Sequence, residues 1–182
     1  MKWMLIVGLL LAGPQAHAGP STDQQIHESL RALPESLRDG ATVVGYNNSG
    51  ERVTLKKGSN GMTCWADDPR PNPNTDDPYY VVCFPESLKP LFRRIRELKD
   101  GKVEGRRKIL TAEIEAGKIA MPDFAVRYTL RGEAYVEALP LTVIHVPYRK
   151  AEGTGFSTEI DHFRPWLMWA GTPLAHIMVP GH

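Results

Sequence analysis

The sequence predicts an α+β fold: a mostly antiparallel sheet, two or three helices on one side of it, and one disulfide. Three observations lead there. Short β-rich runs recur along the chain and are not separated by regular helices, which argues against parallel βαβ winding. Two segments, 86–99 and 103–116, carry apolar residues at helical spacing. Both cysteines, Cys64 and Cys83, sit in short apolar runs on either side of a proline-rich connection, so the runs read as two strands joined by a disulfide.

The elements follow in order. Residues 1–18 read as a secretory signal peptide. Lys2 is the positive start, Trp3 to Ala12 is an apolar run too short to cross a bilayer, and Ala16-His17-Ala18 is a small-x-small cleavage pattern. Gly13 and Pro14 break the run where a buried helix would have to continue. The mature chain is expected to begin at Gly19 and, at about 164 residues, to form a single domain over 19–182. No later stretch approaches the ~20 apolar residues of a membrane span, so the expected location is periplasmic or secreted. Acids and bases nearly cancel, 21 against 22, and removal of Lys2 brings the formal charge to about zero. That balance gives no basic field to attract nucleic acid.

Ser21-Thr22-Asp23 offers N-cap oxygens for a helix with Ile26, Leu30 and Leu33 on one face. Ala41 to Tyr46 and Arg52 to Lys56 flank Asn47-Asn48-Ser49-Gly50 and read as a hairpin, with Lys56-Lys57 in water. The cysteine strands come next. Prolines 69, 71, 73 and 78 bar a regular ladder between them. Leu88, Leu91, Phe92, Ile95 and Leu98 share a helix face, and Asp100-Gly101 ends that helix. Leu110 and Ile114 are the thin apolar stripe of the second helix, with Gly117 as its cap. Phe124, Val126, Tyr128 and Leu130 alternate with Ala125, Arg127 and Thr129, a strand with the first set buried. Leu139 to Val146 and Leu174 to Val179 are further strands, and Trp166 to Trp169 is an apolar run before the turn at Gly171.

Asn60-Gly61-Met62-Thr63-Cys64, Asp67-Asp68-Pro69, Cys83 and the closing Gly171-Thr172-Pro173-Leu174-Ala175-His176-Ile177-Met178 resemble a group of uncharacterised exported bacterial proteins. Such proteins pair an N-G-x-x-C segment with a second cysteine and end in an H-[IV]-M strand. The resemblance implies a Cys64–Cys83 bond and a specific role for His176. It brings no substrate and no mechanism.

Several constellations could carry chemistry. Cys64-Trp65 has the form of a thiol nucleophile before an aromatic residue, but a cysteine bonded to Cys83 has no thiolate. His145, His162 and His176 with Asp67, Asp68 or Asp161 would suit zinc, yet no two histidines stand at ligand spacing, and the expectation is no metal and no cofactor. Asp67-Asp68 and Asp76-Asp77 fall where aspartate commonly bonds to loop amides. His176 shares a strand face with Leu174 and Met178; it is either a hydrogen-bonded core histidine or a pocket histidine oriented by Asp67 or Asp68. His145, Trp166 and Trp169 are the ligand-binding candidates. Gly153-Thr154-Gly155 lacks the third glycine and lysine of a phosphate loop. The runs at 93–96 and 106–108 read as solvated helix faces diluted by Glu97, Glu104 and Glu113.

The function expected from these residues is non-catalytic binding of a small molecule or an envelope protein. The alternative is a small periplasmic hydrolase using His176 with an Asp67/Asp68 carboxylate, with or without a metal.

Overall fold

A computed structural model describes residues 19–68, 78–98 and 102–181. The expected signal peptide, the proline-rich loop with Asp76-Asp77, and the Asp100-Gly101 stop lie outside the described residues.

The strand β4 (Tyr79–Pro85) is apolar at odd and even positions alike, so neither of its faces can be left in water. Tyr79, Val81 and Cys83 pack with Ile26, Leu30 and Leu33 from the helix α1 (Thr22–Leu30) and the turn after it. Val82 and Phe84 pack the opposite way, against Leu88, Leu91, Phe92 and Leu110. Those residues belong to α3 (Lys89–Glu97), the 3-10 turn Glu86–Leu88 before it, and α4 (Val103–Glu115). Helices therefore cover both faces of the sheet, whereas the sequence predicted one. A short helix, α2 (Glu35–Arg38), links α1 to the first strand.

The other strands are β1 (Thr42–Tyr46), β2 (Arg52–Lys56), β3 (Met62–Trp65), β5 (Ala125–Gly132), β6 (Leu139–His145), β7 (Trp166–Met168) and β8 (His176–Pro180). With β4 they form one eight-stranded sheet in the order β2-β1-β3-β4-β5-β6-β8-β7. The pair β1–β3 is parallel and the remaining pairs are antiparallel. The fold class is α+β, as the short strand runs predicted.

Local chemistry fixes the joints. The Asn47 side-chain oxygen accepts from the backbone N–H groups of Ser49 and Glu51, each at 2.9 Å, and closes the β1–β2 hairpin. After β2 the chain passes so near the start of β1 that a Cβ on Gly58 would stand 2.2 Å from the Gly40 carbonyl oxygen, so only glycine fits there. Lys56 does not extend into water as expected. Its ammonium donates to the carbonyls of Asp39 (2.6 Å) and Ala41 (2.9 Å), satisfying backbone acceptors at the end of α2. The buried Gln25 amide donates to the Tyr46 carbonyl at 2.9 Å and accepts from the Tyr46 N–H at 2.8 Å, which pins α1 to β1. Cys64 and Cys83 lie directly opposite each other in the β3–β4 register and are bonded, fully buried beneath α1.

On the other face, Phe84 stacks on Phe92 with ring centroids 4.2 Å apart. The Arg94 guanidinium forks onto Glu113 at 2.8 and 2.7 Å and ties α3 to α4. The basic run at 93–96 is thus partly a helix–helix joint. In β5 the predicted alternation holds for Tyr128 and Leu130, which pack toward α1, but Phe124 is 62% exposed and precedes the strand. Ala125 packs into the α3–α4 core and Thr129 is buried, so the face of β5 assigned to water is covered as well.

The disulfide closes a loop between cysteines 19 positions apart. Chain entropy gives such a crosslink about 3 kcal/mol. The variant Cys64→Ala/Cys83→Ala is expected to lose roughly that much in urea denaturation at neutral pH. A loss below about 1 kcal/mol would show that the loop is already restricted in the unfolded chain.

Candidate functional site

Between the sheet and the α3–α4 layer lies a cleft of about 980 Å³. Its floor follows from strand register. Residues directly opposite in antiparallel strands share a face, and residues two apart along a strand return to it. One row across the floor runs Arg127, Val143, Met178, Trp166; the next runs Ala125, His145, His176, Met168. The roof is built by Leu91, Phe92 and Ile95 of α3 and by Arg106, Arg107 and Leu110 of α4. Asp67, Asp68, His145, His176, Trp166 and Trp169, the candidates taken from the sequence, all line this one cleft.

The two histidines are neighbours, with ring centroids 5.6 Å apart, and are 4% and 3% exposed. Trp169 meets His176 edge-on at 5.0 Å. Trp169 holds φ 55, a left-handed backbone that bulky residues seldom adopt. The Thr172 hydroxyl and N–H, donating to its carbonyl at 2.8 and 3.2 Å, lock that turn. His176 Nδ1 donates to the Leu174 carbonyl at 2.7 Å, since a carbonyl oxygen can only accept. Among the described residues, neither nitrogen of His145 has a hydrogen-bond partner, and the same is true of the Trp166 indole N–H. Burial, reinforced by the nearby Arg127 charge, pushes His176 down to about 4. Burial, Arg127 and His176 together push His145 far below the ordinary imidazole range. Both rings are neutral at pH 7.

Asp67 takes a different role from that of a histidine-orienting acid. Its carboxylate oxygen accepts from the Tyr80 N–H at 2.8 Å and replaces a strand partner at the start of β4. Burial pushes Asp67 up to about 6 despite that bond, and the neighbouring charges of Asp68 and Glu28 add to the effect. The imidazole of His176 and the carboxylate of Asp67 are therefore each committed to backbone. Cys64 is closed to nucleophilic chemistry by its disulfide. Asp161 accepts from the N–H groups of Phe163 and Arg164 and pairs with the Arg164 side chain at 2.7 Å, so it serves its own loop. Among the described residues no three of His, Cys, Asp and Glu gather closely enough to hold a metal ion. No helix among them is long and apolar enough to cross a membrane.

Sequence reasoning missed the arginines. Arg127 rises from the floor, donates through Nη1 to the Tyr80 hydroxyl at 3.0 Å, and lies 5.6 Å from the Phe92 ring centroid. Its Nε is buried without a partner among the described residues. Arg106 descends from α4 and is held below its ordinary range by burial. Arg107 sits 5.6 Å over Trp169, with Glu104 at 3.1 Å. Arg96 lies 5.4 Å over Trp65. The available signal was an arginine at 127 on the strand face of Ala125 and Thr129, opposite an apolar face of Val126, Tyr128 and Leu130.

No protein-family model matches the chain, and neither does any curated protein or solved structure. The resemblance to uncharacterised exported proteins thus gains no support as a family; the bond between Cys64 and Cys83 is the part of it that the structure shows.

Two expectations follow from the site's electrostatics. In NMR titrations the His145 and His176 ring signals should stay unmoved from pH 8 to about pH 5, because both rings remain neutral over that range. A midpoint near 6.5 for either ring would contradict its burial. Asp67 carries the opposite linkage from a salt-bridged acid. Its folded value, about 6, exceeds the ordinary 3.8, so the folded state binds the extra proton between these limits. Its contribution therefore falls as pH rises through that window. Asp67→Asn keeps the oxygen that accepts from Tyr80 and removes the buried charge. The variant should match the parent near pH 4 and exceed it by about 1 kcal/mol at pH 7, after discounting for solvent screening. Parallel pH–stability curves would rule this out.

Proposed function

We propose that this chain is an exported ligand-binding protein of the cell envelope that does no chemistry on its ligand. The observation that carries this reading is the cleft of about 980 Å³, walled by Trp65, Phe92, Trp166 and Trp169, with His145 buried in its floor and both its ring nitrogens without a partner among the described residues. A cavity of this size, mostly apolar with a few convergent polar groups, is the usual form of a small-molecule site. Buried polar atoms are normally satisfied, so ring nitrogens left without a partner just beneath a cavity favour a ligand or water that reaches them. Export is supported by the leader-like pattern of residues 1–18 and by a disulfide that would not persist in a reducing cytoplasm.

The hydrolase alternative draws on one observation: Asp67, held at about 6, lines the same cleft as His176 and has the proton affinity of a general base. Against it, neither group is bonded to the other, and each is bonded to backbone.

Native mass spectrometry of the protein purified from the envelope fraction tests the proposal. The expected species begins at Gly19, is lighter by the hydrogens of one disulfide, and carries a small molecule that is released on denaturation. A retained leader or free thiols would overturn export. Turnover of an ester panel that is lost in His176→Asn would replace binding by catalysis.

A further inference from the structure

Arginine stays charged at any accessible pH, so a half-buried guanidinium needs an anion or water to replace its lost hydration. Arg94 shows how this chain satisfies one: Glu113 and Glu97 both pair with it. Arg106 and Arg127 are treated differently. Both are half-buried in the cleft, and neither has a carboxylate at ion-pair distance among the described residues. They come from opposite walls, α4 and β5, and approach the same phenol. Arg127 donates to the Tyr80 oxygen, and Arg106 lies within its electrostatic reach. Beneath the floor lie further polar atoms unpartnered among the described residues, Arg127 Nε, the ring nitrogens of His145 and, farther along the Arg127 row, the Trp166 indole N–H, each buried with almost no accessible surface. The rest of the lining is largely hydrocarbon and aromatic, with Leu110, Leu141, Met178 and Trp169, and also carries the acids Glu133 and Glu137 and the bases Arg96 and Arg131.

We propose, building on the binding reading above, that the ligand is an amphiphilic anion: a carboxylate or phosphate head seated between Arg106 and Arg127, on an apolar body that runs along Leu110, Leu141 and Met178 toward Trp166 and Trp169. Planar guanidinium forks match the paired oxygens of either head. A bare inorganic anion would leave the indoles and aliphatic side chains wet. A cation would face both arginines, with Arg107 beside them. The neutral His145 has one N–H to donate without adding charge, whereas His176 spends its N–H on the Leu174 carbonyl and keeps Nε2 as an acceptor. The acids on the lining are Asp67 and Asp68 at the Trp65 end of the cleft, and Glu133 and Glu137 past the end of β5.

The test uses the mature oxidised protein and the fluorescent anion anilinonaphthalene sulfonate as a reporter. Dodecanoate, dodecyl phosphate, dodecanol, dodecyltrimethylammonium, inorganic phosphate and adenosine monophosphate compete with it below their micelle thresholds. Dodecanoate or dodecyl phosphate should displace the reporter at about tenfold lower concentration than the alcohol or the ammonium, the worth of one charge-assisted contact. Which of the two is stronger assigns the head. Arg127→Met and Arg106→Met should each weaken the anions about tenfold and leave dodecanol unchanged. If Arg127→Met fails to fold by circular dichroism, Arg106→Met on the half-exposed helix decides alone. Equal displacement by anion, alcohol and ammonium would overturn the anionic head while leaving a binding cleft. Displacement by adenosine monophosphate or inorganic phosphate as strong as by the amphiphiles would overturn the apolar body. Absence of any reporter binding would overturn the binding reading itself.

Discussion

From Tyr79 to Phe84 the strand β4 is apolar on both sides, so it has to be covered twice. The cover on one side is α1, which lies across the Cys64–Cys83 bond and is pinned by Gln25 to the backbone of Tyr46. The cover on the other is the α3–α4 pair, anchored by the stack of Phe84 on Phe92 and clamped by Arg94 on Glu113. Phe92 and its neighbours fix that second layer over β3 to β5, while the sheet continues through β6, β8 and β7. The cleft lies where the far strands meet the flank of α4. Its position follows from centring that helical layer on β4.

The electrostatics of the cleft follow from the same layering. Burial keeps both imidazoles neutral, and the charge of Arg127 reinforces that. An imidazole in this state can donate and accept without adding charge. Asp67 is drawn toward the protonated form by burial and by neighbouring acids. The arginines cannot respond in that way, because guanidinium does not give up its proton in a protein. They stack instead, over Phe92, Trp65 and Trp169, which offsets part of the lost hydration through the ring faces. What results is a cleft lined with aromatic rings and fixed positive charge, with Asp67 partly neutralised and Asp68, Glu133 and Glu137 also on its lining. Such a surface discriminates by the sign of a ligand's charge as much as by its shape.

The sequence by itself determined the elements whose cause is local. The N-cap at Ser21, the Asn47 turn, the apolar face from Leu88 to Ile95, the cap at Gly117 and the pairing of two cysteine-bearing strands depend on spacing and turn chemistry within a few residues. The same patterns singled out His145, His176, Trp166 and Trp169 as chemically notable, and the fold sets all four along one cleft. Only the tertiary structure decided what those side chains do. Alternation assigned Arg127 to solvent because a period of two sorts a strand into two faces but cannot say that both will be covered. Charge spacing placed Arg106 and Arg107 on a solvated helix face because helical periodicity carries no information about a sheet passing nearby. Lys56, read as the solvated end of a strand, and Asp67, read as a loop aspartate, became ligands of backbone atoms distant in sequence. The physical reason is common to all of them: the free energy of a charge depends on which groups from remote segments replace its water, and that is fixed by how the layers stack rather than by the residues on either side.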